Sequence, residues 1–240
     1  MAQQDTCGIF GKLPMQSDFI SHFLPTTYTE YWHAWLQSCL SISQEQLAEQ
    51  WQEYYLNAPI WRFAAMPDVV HQQAVVGVVI PSVDEVGRYF PLTIAHIGDH
   101  VPWHAYLEGG RWYQEAEKTA LLALEDELAY SRFIEFFEQL PVPAAQPWPA
   151  MATELSFMAR TQNMAFDQTP TDDPVPHALQ LLHYNAERML GNYSLWWTEG
   201  SDAVLPCLLT CSGMPDSGQF SAMIDGQWQK WGWNHSQVVR

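Results

Sequence analysis

One stretch of the chain is apolar at every position: residues 75–80 are Val-Val-Gly-Val-Val-Ile. A strand with one face in solvent would carry polar residues at every second position. A run that is apolar throughout is typical of a central strand with both faces buried. This segment therefore places a covered β-sheet at the centre of the fold, and the rest of the chain has to supply the cover.

Helical and strand patterns alternate around this segment. Apolar residues three and four positions apart predict a helical region from about residue 26 to 56, and one long helix or two joined helices at 110–140. Trp103–Leu107 is predicted to be an edge strand. Short apolar runs predict further strands at 7–10, 60–65, 92–97, 193–198 and 204–210. The alternation favours a layered α/β sandwich with a mixed β-sheet.

The chain is predicted to form a single domain over residues 1–240, because 240 residues fit one generous domain. A motif-rich half spans 7–140. A connection at 141–149 holds four prolines, and a second half covers 150–235. No internal repeat divides the chain further.

The charge balance excludes several classes of partner. Lys and Arg total 10 against 27 for Asp and Glu, which gives a net charge of −17. Such a surface repels nucleic-acid phosphates and anionic lipids, so neither is an expected partner. No apolar run of 18 residues exists, the N-terminus does not resemble a secretory signal, and four cysteines do not make a disulfide framework. We expect a cytoplasmic protein without membrane insertion.

The few cations are informative because of where they lie. The first 110 residues hold only Lys12, Arg62 and Arg88, each beside Gly, Pro or aromatic residues. Asp18 and Asp84 are the expected carboxylate partners, since a partly buried Arg needs pairing. Ser82, in Pro-Ser-Val-Asp, is interpreted either as a nucleophile or as a turn cap. The favoured interpretation is a structural network that pins loops, and the alternative is a pocket for a small anion or peptide carboxylate.

The sequence contains no pattern that predicts a catalytic or metal-binding site. Gly8 to Lys12 lacks the spacing of a phosphate-binding loop, and no Gly-x-Ser-x-Gly elbow is present. His96, Asp99, His100 and His104 do not predict a metal site, because Gly98 and Pro102 interrupt any helix there. We therefore predict no cofactor, no metal and no enzymatic activity. The alternative is a small-ligand binder or hydrolase that uses Asp18, Arg62, Ser82, Asp84 and Arg88.

An acidic surface is the candidate for partner recognition. The predicted helical region 110–140 carries acidic residues on the side opposite its apolar residues. It is either a solvated helix surface or a docking face for a basic partner. Because Trp is frequent at interfaces, the proposed partner surface includes two Trp residues together with three Glu residues: Glu115, Glu125, Glu127, Trp196 and Trp197.

Several motifs resemble the TagF/ImpM family of type VI secretion accessory proteins. The first is Gly8-Ile-Phe-Gly-Lys-Leu-Pro14 followed by Asp18-Phe19, although Ser17 stands where the family usually has Gly. Three more lie further along the chain. They are Trp51 with Tyr55–Phe63, Pro81-Ser-Val-Asp84 with Val86-Gly-Arg-Tyr-Phe-Pro-Leu92, and Ser194-Leu-Trp-Trp-Thr198. Gly213-Met-Pro215 with Phe220 resembles the family's ending.

This resemblance implies a three-layer α/β/α sandwich. It also implies a non-catalytic protein of the cytoplasm that restrains assembly or firing of the type VI secretion apparatus after translation. The partner that it implies is the forkhead-associated scaffold protein of that system. A structural component of the apparatus itself is a further hypothesis.

Overall fold

The computed structural model describes residues 5–125, 128–144 and 175–236. Its centre is a seven-stranded sheet with the order β2-β1-β5-β4-β3-β6-β7. Its strands are β1 Thr6–Gly11, β2 Ile20–His22, β3 Trp61–Ala65, β4 Ala74–Ile80, β5 Leu92–Gly98, β6 Tyr193–Thr198 and β7 Cys207–Ser212.

The α/β class is confirmed, but the prediction of a mixed sheet is wrong. Every pair of neighbouring strands is antiparallel. For two of these pairs the connections explain the direction, because residues 66–73 join β3 to β4 and residues 81–91 join β4 to β5. Connections of this length cannot carry the chain back across the sheet for a parallel pairing.

The helices interrupt and flank the strands. They are α1 Thr26–Leu47, α2 Trp51–Leu56, α3 Pro102–Glu108, α4 Gly110–Leu122, α5 Tyr130–Glu138, α6 Val175–Leu190 and α7 Ser221–Asp225. The prediction of an edge strand at Trp103–Leu107 is wrong, since this segment lies within α3. Pro102 is at the start of that helix, where the missing N–H of proline costs nothing. Residues 110–140 form two helices rather than one.

The central strands are buried along their whole length, as residues 75–80 predict. Each residue of β3, β4 and β5 is buried. On one face, the Trp32 ring of α1 lies 4.8 Å from Phe63, measured between ring centroids. On the opposite face, the Tyr113 ring of α4 lies 4.7 Å from Trp197. Helices therefore contact both faces, while the complete three-layer arrangement stays a prediction.

Membrane insertion can be checked against the helices. In the described parts of the chain, no helix combines the length and the apolar character that crossing a bilayer requires.

The first prediction concerns the glycine of the central strand. A Cβ at Gly77 would lie 2.6 Å from the Ile94 carbonyl oxygen and from the ring of Phe63. Both neighbours are buried, so Gly77→Ala is expected to lower the free energy of unfolding by about 2 kcal/mol through overpacking. Urea denaturation measures this change.

The matched control is Gly110→Ala in α4, where an added Cβ meets no atom within 4 Å. Since Ala favours a helix over Gly, we expect this variant to be neutral or slightly more stable than the wild type. Equal destabilisation by the two changes would contradict the close approach at Gly77.

Candidate functional site

The motif residues converge on one buried carboxylate. The Asp84 side chain is fully buried, and its Oδ2 accepts from Lys12 Nζ at 2.5 Å and from Arg88 Nε at 2.6 Å. Its Oδ1 accepts from the backbone N–H groups of Val86 at 3.1 Å and of Arg88 at 2.8 Å. Both oxygens are thus satisfied by charged or backbone donors.

These contacts tie together two loops, which we call the first loop (residues 12–19, after β1) and the second loop (residues 81–91, after β4). Ser82 Oγ donates to the Lys12 carbonyl oxygen at 2.8 Å. The backbone N–H of Glu85 donates to the Gln16 carbonyl at 3.2 Å. The Arg88 guanidinium donates to the Ser17 carbonyl. The two loops therefore form one hydrogen-bonded unit.

Steric constraints explain why glycine precedes Lys12 in the first motif. Gly11 has a φ of +140°, and a Cβ there would lie 2.2 Å from the Pro91 carbonyl oxygen. The backbone of β1 therefore approaches the second loop more closely than any other residue type would permit. This close approach places Lys12 next to Asp84. Ser17, by contrast, is not among the described residues with positive φ, so serine there does not carry that strain.

The cluster keeps Asp84 ionised. Burial alone would raise the pKa of the Asp84 carboxyl, but the hydrogen bonds from Lys12 and Arg88 outweigh it. The pKa of Asp84 is held well below its ordinary value. The two cations differ in exposure, since the Lys12 side chain is 7% exposed and that of Arg88 is 58% exposed. Lys12 is therefore the inner partner and Arg88 the outer one.

Arg62 belongs to a second, separate network. It lies on β3, and its guanidinium donates to both oxygens of Glu117 on α4, at 2.6 and 2.7 Å. It also donates to Glu199, which follows β6, at 2.8 Å. The hydrogen bond with Glu117 is the largest influence that raises the pKa of Arg62. This network fixes a helix and a loop to the sheet, and it shares no partner with Asp84.

The pairing of the cations with Asp18 is wrong. Asp18 is exposed, and Lys12 and Arg88 share Asp84 instead. The true partners of Arg62 lie 55 and 137 residues away in sequence. Local context cannot identify such partners. The structure thus brings together Lys12, Ser82, Asp84 and Arg88, and it leaves Asp18 and Arg62 outside this group.

Ser82 has the contacts of a structural hydroxyl. It is 3% exposed, and its proton is directed to a carbonyl oxygen rather than to a base. Tyr55 supports the same residue, because its hydroxyl donates to the Ser82 carbonyl at 2.9 Å. A nucleophile requires an adjacent base and access to substrate. Neither is present in the described surroundings of Ser82.

The histidines near β5 form a pair. His96 Nδ1 and His100 Nε2 lie 2.8 Å apart, and burial lowers the pKa of both rings, that of His100 to about 3. His104 contacts Glu108 at 2.7 Å. Within residues 5–125, 128–144 and 175–236, no three His, Cys, Asp or Glu side chains are grouped as metal ligands. A cleft of about 530 Å³ lies beside His100 and His104. It is not lined by Lys12, Ser82, Asp84 or Arg88.

The predicted partner surface needs correction. Trp196 and Trp197 are 1% and 7% exposed and belong to the core, so they cannot meet a partner. Glu115 is partly exposed and binds Lys118 at 2.7 Å, and Glu125 is exposed. Glu127 lies outside the described residues. Part of the acidic surface is thus neutralised locally, and Glu115 and Glu125 remain as candidates.

An exposed aromatic ring, which was not predicted as a site residue from the sequence, lies beside the cluster. The Phe19 side chain, in the first loop, is 43% exposed, and the ring lies 5.0 Å from Lys12 Nζ. The ring packs against Phe90 of the second loop, with centroids 4.8 Å apart. The signal was present in the sequence, because the motif Asp18-Phe19 places an apolar ring within a polar loop.

Comparisons with known proteins identify a family whose matched region contains this cluster. The family model described as the TagF N-terminal domain, type VI secretion system-associated, matches residues 8–140. Among solved structures, the chain is similar to the crystal structure of PA0076 from Pseudomonas aeruginosa PAO1. The two share 30% sequence identity with a TM-score of 0.77, over 98% of this chain and 97% of that chain. No curated protein matches.

The second prediction separates the inner and outer cations. Lys12→Met removes the buried partner of a buried carboxylate, so we expect a loss of about 3 kcal/mol in the free energy of unfolding. Arg88→Ala removes a largely exposed partner while Lys12 stays, so we expect a loss of about 1 kcal/mol. Urea denaturation at neutral pH gives both values. A larger effect for Arg88→Ala than for Lys12→Met would overturn this order.

The third prediction follows from the lowered pKa of Asp84. An ionised Asp84 favours the folded state, so its contribution is present above the ordinary Asp pKa and is lost as the pH falls through the lower folded-state pKa. The difference in unfolding free energy between the wild type and Asp84→Asn is therefore expected to narrow between about pH 5 and pH 2. Denaturant titrations across this range test it, and a constant difference would contradict the assignment.

Proposed function

Since the chain belongs to the TagF family of type VI secretion system-associated proteins, we propose that it is a cytoplasmic accessory protein that restrains this apparatus after translation. It acts without catalysis, by binding the forkhead-associated scaffold protein of the system. The single observation that carries the proposal is the family match over residues 8–140, where the motif cluster lies.

The state of the motif cluster supports a binding role over chemistry. Lys12, Asp84 and Arg88 satisfy one another, and Ser82 binds a carbonyl. A hydrolase or ligand site built on these groups would need unoccupied hydrogen-bond donors or acceptors directed at a substrate. The cluster instead holds two loops in a fixed shape, and a fixed surface is what a protein partner recognises at low entropic cost.

Charge supports a partner with a basic surface. The chain has a net charge of −17. Two of its first three cations, Lys12 and Arg62, are buried in ion pairs. Each of these cations is buried together with a carboxylate, so the exterior keeps the strongly negative net charge of the chain. Complementary charge raises the rate of encounter and rejects acidic competitors. A basic face on the scaffold fits these requirements, and nucleic acid does not.

The proposal is tested in a bacterium that carries the secretion system. We expect the scaffold to co-purify with the tagged chain, deletion of the gene to raise effector secretion, and overproduction to lower it. A chain that captures no scaffold and leaves secretion unchanged would refute the proposal. A deletion that lowers effector secretion would instead favour a structural component of the apparatus.

The fourth prediction localises the acidic contact. The double variant Glu115→Lys, Glu125→Lys is expected to weaken scaffold binding about tenfold, because charge reversal opposes a basic partner. The control is Glu30→Lys, Glu45→Lys, which changes the net charge equally at exposed positions of α1. Calorimetric titration at two salt concentrations measures both. Equal losses would mean that overall charge, rather than this face, drives binding.

A further inference from the structure

Among the described residues, nothing pairs with the outer edge of the last strand of the sheet. Strand β7 pairs with β6 over its six residues, from Thr198↔Cys207 to Tyr193↔Ser212. It is the terminal strand in the sheet order. An edge strand directs alternate N–H and C=O groups away from its neighbour. Among residues 5–125, 128–144 and 175–236, no backbone hydrogen bond reaches this outer side of β7.

This edge lacks the features by which proteins block edge pairing. Charged side chains, internal prolines, bulges and short length protect such edges. Strand β7 reads Cys-Leu-Leu-Thr-Cys-Ser and has no charge and no proline. The opposite edge differs, because β2 has three residues and is followed by Phe23 with a φ of +62°. In the described part of the chain, the sheet is therefore protected at the β2 edge and open at the β7 edge.

The sequence on either side of β7 is uncharged as well. No charged residue occurs from 203 to 215, between Asp202 and Asp216. Leu205, just before the strand, is 78% exposed. In a chain with a net charge of −17, this segment is a neutral and partly apolar strip. A basic partner would be attracted by negative charge, and this strip has none. The strip therefore does not favour such a partner.

We propose that a second copy of this chain pairs with β7, strand to strand and antiparallel, about a two-fold axis. An antiparallel pairing of identical strands is self-complementary, as a two-fold interface requires. Two copies that meet at acidic surfaces repel each other, whereas two copies that meet at the neutral strip do not. The result is a dimer in which both sheets join into one.

The dimer is expected to be weak and to depend on salt in a diagnostic way. Pairing of two six-residue strands covers less area than a standard stable interface, so association is concentration-dependent. Salt screens the repulsion between the acidic copies, so higher ionic strength strengthens the dimer. An interface built on ion pairs would respond in the opposite direction.

Sedimentation velocity of the full chain, in reductant to exclude intermolecular disulfides, tests the proposal. The informative variant is Thr210→Lys, because Thr210 is an exposed residue of β7 and a lysine there places like charges across the two-fold axis. We expect its dimer dissociation constant to rise at least about tenfold. Thr210→Val keeps the strand neutral and is expected to keep the dimer. Gln114→Lys, exposed on α4, adds the same charge elsewhere and is also expected to keep it.

Hydrogen exchange of the β7 amides supplies the second readout, since outward N–H groups gain protection in the dimer. Equal melting temperatures of the variants would show that they are folded. A wild type that stays monomeric at every concentration and salt level overturns the proposal. So does a dimer that Thr210→Lys leaves intact. Protection of β7 that appears only when the scaffold protein is added would assign the edge to an unlike strand and would also overturn it.

Discussion

The ion-paired carboxylate of Asp84 is the interaction on which the motif region depends. A charged group that is removed from water destabilises a fold unless charged and hydrogen-bonding partners surround it. Here Lys12, Arg88 and two backbone N–H groups do so. Strands β1 and β4 lie on either side of β5 in the sheet. The contact between the first and second loops therefore passes over the start of β5 and links β1 to β4.

The tryptophans consolidate the core rather than form a recognition surface. Trp196 and Trp197 are adjacent, so their rings lie on opposite faces of β6. The Trp196 ring stacks near Phe63 and Trp32, and that of Trp197 lies against Tyr113. Indole N–H groups bind carbonyl oxygens far along the chain, as in Trp61 to Met223 and Trp35 to Pro215. Each such ring joins apolar packing to one long-range hydrogen bond, which fastens the C-terminal segment to the sheet.

Features with a local cause were predictable from the sequence, and features with a long-range cause were not. Residues 75–80 predict a buried strand because burial on two faces leaves a mark on every position. The direction of pairing leaves no such mark, so the antiparallel sheet was missed. At Pro102, the apolar run that follows fits a strand or a helix equally, and the proline at the helix start decides. The partners of Arg62 depend on which elements the fold brings together, so that network emerges only from the structure.

The exterior of the chain is mostly acidic, but one segment of it is uncharged. These two surfaces suit different kinds of partner. Lys12 and Arg62 lie in internal ion pairs with carboxylates, and the excess of carboxylates over cations in the rest of the chain makes the exterior acidic. An acidic exterior keeps copies of the chain apart and favours an unlike, basic partner. Residues 203–215 differ, because they carry no charge that would repel the same segment of a second copy. The two proposed contacts, one with an unlike partner and one with a second copy, would therefore use different surfaces. Higher salt would weaken the first and strengthen the second.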